Sequence, residues 1–523
     1  MGPVEPGRAG WRHDPVWLVA GMTEEKPKRE TFRVHMGWLH SWVGLLAGFI
    51  LTAIFATGTL SVFDTEITHW MQPEAVLTGP PALTAHALQN AVETLEAEKT
   101  KGFSAFLNLP SVRDPFIRVI HYDGAQFVGP VLDPQTGDAL PARQTAGGQF
   151  FFDFHYTLRS GPVIGSTIVT IFAVCLLVAV GAGVAIHIRA LWPDLVLFRP
   201  FGPRPRAWLD AHLLTGLLFL PFLIMMTYTG AVIRGRNILP PHPFLAAHTE
   251  LDHPRSNGNG RRAHETPAQQ PAPAIPPLLP LIEQAKTALN LPECSFILFS
   301  DTEVRIFGND TASVFMNRDM AVFSRTDGHF LSTTIHREPA SQATALMHGL
   351  HYARFPSLLL RWLYFISGLA CTAMMAIGLI LFFIKRRRAS GDMLTFRLGE
   401  GLTMSCVTGL TASTLAFFWA NRLLPATLPN RIHSEVSVFF ILWALSLVHG
   451  VCFSLCKKPL TGWIMQTQAV LLLSLGLPVL DAAGQSHDWH HNPSLYYSVD
   501  GLLFLTGVIA LVALKRMRRA ELS

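Results

Sequence analysis

The sequence predicts an α-helical polytopic membrane protein of about eight spans, with two α+β modules outside the bilayer and an internal parallel duplication of helix–module–helix units. Three observations predict it: apolar runs longer than the roughly 18 residues that mark a spanning helix, basic clusters at alternate ends of those runs, and a set of motifs that occurs twice in the same order. Half of the 523 residues are hydrophobic and 15% are charged, whereas about 25% are charged in an ordinary soluble protein. The net charge of +5 collects at the ends of the apolar runs, where it reads as topology and not as a polyanion-binding face. The lipid bilayer, and no nucleic acid, is therefore the expected partner.

The elements follow in order. Residues 1–36 read as a polar cytoplasmic tail without a cleavable signal peptide. Met22 precedes Thr-Glu-Glu-Lys, so the first 21 residues read as dispensable or as a misplaced start. Spans are expected at 37–63, 163–188, 208–233 and 357–384, then at 400–424, 434–456, 462–481 and 499–514 in a C-terminal extension covering 400–514. Arg29 and Arg33, the basic loop 189–207, Lys385 to Arg388, Lys457 and Lys458, and the tail 515–523 all fall on one side if every span is real. The positive-inside rule makes that side the cytoplasm. The expected location is the inner membrane of a Gram-negative-type bacterium, with both termini cytoplasmic and two large periplasmic segments, 64–162 and 234–356.

Each large segment runs from a helical pattern into short alternating strands and a turn. In the first, Ala85, Leu88, Val92 and Leu95 mark the helix, Phe116 to Ile120 a strand, and Asp133-Pro134-Gln135-Thr136-Gly137 the turn. In the second, the helix surrounds Leu281 to Ala285, strands cover 295–299 and 303–307, and Asp327-Gly328 turns the chain. Asp-Pro and Asp-Gly have the backbone chemistry for such turns. Residues 252–280, rich in Pro, Gly, Ala and Gln, read as a flexible linker. Five of the six cysteines lie in or beside apolar runs, so no disulfide framework is implied.

The duplication rests on spacing. His40, Gly44-Leu45-Leu46 and Thr57-Gly58 in span one match His212, Gly216-Leu217-Leu218 and Thr229-Gly230 in span three, at identical offsets. His155-Tyr156 and His351-Tyr352 each stand 34 residues before a basic residue, Arg189 and Lys385. Parallel repeats are related by an axis along the membrane normal, which brings His40 toward His212 and His155 toward His351. Neutral imidazoles at a membrane border suit haem iron, and two pairs imply haem b, two per chain, with Gly44 and Gly216 leaving room for a flat macrocycle. His187 is an alternative member of the inner pair. Arg159 and Arg354, about one turn from the outer histidines, are expected to pair with propionates. A single histidine at a membrane border is more often a packing residue, so the weight falls on the paired set. His35, His121, His336, His348, His433 and His449 lack that pairing and read as packing residues. The loop histidines His242, His248, His253 and His264 lack ligand-like spacing in a structured element, and His487, His490 and His491 lie in an exposed loop. Cys452 and Cys456 also read as packing residues.

These residues resemble PepSY-associated transmembrane proteins. The resemblance rests on Trp38-Leu39-His40-Ser41-Trp42-Val43-Gly44-Leu45, Trp70-Met71-Gln72-Pro73-Glu74, Gly183 to His187, Trp208 to His212, Leu220-Pro221-Phe222 and Leu350 to Phe355. It implies PepSY-like modules in the periplasm. It also implies kinship with iron-regulated membrane proteins, some of them haem-containing ferric-siderophore reductases, and His40, His155, His187, His212 and His351 are the positions it carries over as haem ligands. No nucleotide or flavin fingerprint is present, so electrons are expected from a quinol, a partner protein or a soluble reductant. The expected function is reduction of a periplasmic ferric siderophore or other Fe(III) chelate, with no catalytic acid, base or nucleophile. The rivals are a non-enzymatic regulator that binds periplasmic proteins or peptidases, and a siderophore or iron permease. The sequence leaves the oligomeric state open.

Overall fold

The computed structural model describes residues 32–77, 79, 82–123, 126–187, 199, 204–235, 274–309, 313–483 and 492–522. The tail 1–31, most of the loop 189–207, the linker up to 273 and the seven loop histidines named above lie outside the described residues.

The molecule is a mostly helical, polytopic membrane protein. Among the described residues seven helices are long and apolar enough to span a bilayer, and the number is eight when a bent pair is counted as one span. The first span is α1 (Phe32–Ser61), followed by a short α2 (Asp64–Met71). The second is a π turn (Gly161–Gly165) running into α5 (Ser166–His187), entered from the short α4 (Gln149–Thr157). The third differs from the single straight helix expected. It consists of α6 (Arg204–Leu218) and α7 (Leu220–Ile233), bent by 65°. Pro221 lies in the first turn of α7; it has no N–H for the Leu217 carbonyl, so the helix breaks there.

Outside the bundle, α3 (Ala85–Thr100) begins at a Thr84 cap whose hydroxyl accepts the Ala87 N–H at 3.0 Å. It precedes β1 (Ala105–Asn108), β2 (Ile117–Tyr122), β3 (Phe127–Val128) and β4 (Val131–Leu132). The turn at 133–137 forms because the Asp133 carboxylate accepts the Gln135 N–H at 2.7 Å and Gly137 takes φ +77°. The second segment holds α8 (Leu278–Leu289), β5 (Cys294–Phe299), β6 (Glu303–Gly308), β7 (Met320–Ser324), β8 (Phe330–Thr334) and α9 (Pro339–Tyr352).

The strands of both segments join in one antiparallel sheet of order β3-β2-β1-β5-β6-β7-β8, with β4 on β2. The joint is β1 on β5, with Leu107 opposite Ile297 and Asn108 opposite Phe296. Two separate modules would each expose a strand edge, and pairing those edges satisfies their backbone groups. Leu88, Leu95, Leu107, Ile297, Ile306 and Phe323 form part of a single core in which α3 and α8 pack on the sheet.

The fourth span is α10 (Leu358–Ser390). Span five runs through α11 (Leu394–Met404), a π turn (Ser405–Gly409) and α12 (Leu410–Leu423). The last three spans are α13 (Arg431–Leu455), α14 (Pro459–Ala483) and α15 (Pro493–Leu522). Buried charges fasten this extension to the first extramembrane segment. Arg431 pairs with Glu435, both almost fully buried. The Thr145 hydroxyl donates to Glu435 Oε2 at 2.7 Å, and Arg143 donates to the Asn421 carbonyl at 2.7 Å. Arg422 pairs with Asp481 at 2.5 Å and lies 3.9 Å over the Trp70 ring.

Candidate functional site

Four histidines meet as two pairs. His40 on α1 and His212 on α6 have ring centroids 6.1 Å apart at an interplanar angle of 68°. His155 on α4 and His351 on α9 have centroids 6.0 Å apart at 33°. The second pair lies toward the sheet end of the bundle, with His155 packed against Gly58 of α1. His40 to Gly58 is about 27 Å along the helix at 1.5 Å per residue, so the pairs occupy opposite ends of the spanning region.

Three rings are anchored on a backbone carbonyl and the fourth on a threonine hydroxyl. His40 Nδ1 lies 2.8 Å from the Ala179 carbonyl, His212 Nδ1 2.9 Å from that of Met374, and His155 Nδ1 2.8 Å from that of Ile54. His351 Nδ1 lies 3.0 Å from the Thr229 hydroxyl. That hydroxyl donates its own proton to the Met225 carbonyl at 2.7 Å, so it accepts from the imidazole. Carbonyl partners require the proton on Nδ1, which leaves the lone pair on Nε2.

A glycine stands four residues after each of the three backbone acceptors, Gly183 after Ala179, Gly378 after Met374 and Gly58 after Ile54, and Gly230 directly follows Thr229. In a helix the side chain at i+4 sits over the carbonyl of residue i. A Cβ would reach within 3.1 Å of His40 at Gly183, 3.1 Å of His212 at Gly378, 2.5 Å of His155 at Gly58 and 2.8 Å of His351 at Gly230. The missing side chains are therefore what admits each ring to its acceptor.

The ring spacing matches that of two imidazoles on opposite faces of one ion. A metal-bound imidazole nitrogen lies about 2 Å from the metal and its ring centre about 1 Å further, so two rings on opposite faces of one ion have centroids about 6 Å apart. Both pairs have that spacing. Ligating histidines regularly donate their other N–H to a carbonyl, as His40, His155 and His212 are placed to do, while His351 faces the Thr229 hydroxyl. Among the described residues no group of three or more His, Cys, Asp or Glu could hold a metal. An ion at either pair must take its remaining ligands from elsewhere, as a porphyrin provides.

The other expected site residues are placed differently. His187, at the end of α5, lies within electrostatic range of His212. Arg159 lies 3.9 Å from Asp153 and Arg354 2.8 Å from Asp64, so both have protein carboxylates as partners. Gly44 faces open space, whereas a Cβ on Gly216 would meet the Met374 sulfur at 3.1 Å; the expected opening is one-sided. His121 stacks on Phe103 and pairs with Glu98, His336 pairs with Asp319, and His449 bonds Gln466.

The carbonyl acceptors and the role of the four glycines escaped the sequence reading. Gly58 and Gly230 marked the repeat, but only a helix placed against each histidine shows what they do. A glycine four residues after a fixed position on the neighbouring span is the signal that could have found them.

A family model described as PepSY-associated TM region matches residues 37–386. A comparison with curated proteins found no match.

Proposed function

This chain belongs to the PepSY-associated TM family, and we propose that it is an inner-membrane haem b electron-transfer protein that reduces periplasmic Fe(III) chelates, ferric siderophores among them. The observation that carries this reading is the fourfold arrangement of imidazole, Nδ1 acceptor and closely packed glycine at two depths. A packing histidine needs no free Nε2 and no partner ring at a metal-bridging distance, and four of them need no common anchor.

On this reading the two halves of residues 37–386 are duplicated units, the sheet is built of PepSY-like modules in the periplasm, and both termini are cytoplasmic. His40 and His212 hold one haem b near the cytoplasmic border, and His155 and His351 hold the second near the periplasm. When bound, haem b supplies a one-electron carrier. The protein's own part is to fix the tautomer of each imidazole through its Nδ1–H, to set the ring spacing through the glycines, and to keep both pairs within apolar surroundings. A quinol or another reductant is the electron donor. Reduction frees iron because the lower charge of Fe(II) weakens its attraction to hard oxygen ligands.

Absorption spectra of the purified protein test the reading. Dithionite should sharpen Soret and alpha bands, and an added Fe(III) chelate should reverse the change. A colourless preparation would favour the regulator, and chelate uptake into proteoliposomes without reductant would favour the permease.

A further inference from the structure

Beside the His155–His351 pair, aromatic and guanidinium groups gather on the sheet side of the bundle. Phe152 lies 5.3 Å from Tyr156 and 6.1 Å from Tyr352, and Tyr352 lies 6.2 Å from His351. Arg234, just after α7, lies 5.4 Å from the Tyr156 ring centre, and Arg354 lies 5.7 Å from that of Phe152. All five side chains are partly exposed. Of the neighbouring acids, Asp64 takes both Arg354 and Arg113, and Asp153 lies 3.9 Å from Arg159 and accepts a hydrogen bond from Gln149. Arg234 makes no ion pair among the described residues, and it lies within electrostatic range of both Tyr156 and His351.

We propose that Phe152, Tyr156, Tyr352 and Arg234 form a docking platform for Fe(III) chelates that are both anionic and aromatic, of the tris-catecholate type. The inference rests on the electron-transfer reading and adds a preference among its substrates. Ring faces accept flat aromatic ligands, and a guanidinium beside a ring favours negative charge while stacking on π surface. A neutral aliphatic hydroxamate offers neither feature. The platform adjoins His351, so a chelate seated there stands next to the outer pair.

The test uses gallium(III) chelates, which share the charge and shape of the ferric forms and are not reduced, with the full chain in detergent and equilibrium dialysis as the readout. The trianionic gallium tris-catecholate should bind saturably and about tenfold more tightly than neutral gallium tris-acetohydroxamate, and Arg234→Gln should remove about that factor. Tyr156→Leu should weaken the catecholate and leave the hydroxamate unchanged. Haem absorbance should persist in both variants. Equal affinity for the two chelates, unchanged catecholate binding in Arg234→Gln, or loss of haem in that variant would overturn the platform. A colourless protein that still discriminates the gallium chelates would instead overturn the electron-transfer reading alone.

Discussion

His155 rests on Gly58: its Nδ1 lies 2.8 Å from the Ile54 carbonyl, and a Cβ on Gly58 would come within 2.5 Å of that nitrogen. Neither atom can yield without moving the ring off its acceptor. Gly58→Ala should therefore weaken haem binding at the outer pair roughly 10–100-fold, as loss of a ligand's outer hydrogen bond does. Gly183→Ala, with a 3.1 Å approach to His40, should have a smaller effect on the inner pair. Haem per polypeptide after detergent washing measures both.

Glu435 accepts hydrogen bonds from Arg431, Thr145, Asn421 and the Ala146 N–H. Glu435→Ala would leave the buried Arg431 guanidinium without its hydrogen-bonded carboxylate, at a cost of about 3–5 kcal/mol. Thermal unfolding in detergent should show a large loss. The double variant Arg431→Met/Glu435→Leu should recover much of it, because replacing both partners removes the unpaired charge.

Acid should loosen the junction between bundle and sheet. Burial alone would raise the Asp64 and Asp114 carboxyls, but Arg354 and Arg113 outweigh it at Asp64, and Arg118 and His69 do so at Asp114, so both end below the ordinary 3.8. Such groups add stability that is complete above their unfolded-state values and declines as pH falls through 3.8 toward the lower folded values. Asp153 runs the other way. Burial pushes it up to about 6, only partly offset by Gln149 and Arg159, so its ionisation opposes folding progressively between pH 3.8 and about 6. Asp153→Asn should thus stabilise the protein at pH 7 by up to about 3 kcal/mol, given about 1.4 kcal/mol per pKa unit, and should change little at pH 3.5. Unfolding midpoints at the two pH values test the sign.

Cysteines at Asn108 and Phe296, which face each other across β1 and β5, should form a disulfide under mild oxidation. Failure to cross-link in the folded double variant would contradict the shared sheet.

Much of the fold was legible. Apolar run length marked the spans, Asp133 and Gly137 marked a turn that forms as expected, and the matched offsets from His40 and His212 pointed to rings that do meet. The bend at Phe219 was hidden in Leu220-Pro221-Phe222, because a proline inside an apolar run can be tolerated without a sharp break when neighbouring groups satisfy the backbone. The β1–β5 joint was invisible because a two-residue pairing between segments 190 positions apart leaves no periodicity in either strand. The ion pair of Arg354 with Asp64 was hidden as well, because the two residues come from different halves of the chain.

The central claim is that two imidazoles bind iron at each end of the spanning bundle. Electron paramagnetic resonance of the oxidised protein tests it most directly. Two low-spin ferric signals are predicted, one abolished by His40→Ala and the other by His155→Ala, each variant keeping its remaining signal. High-spin iron in the unmodified protein, or two signals that survive both substitutions, would contradict it.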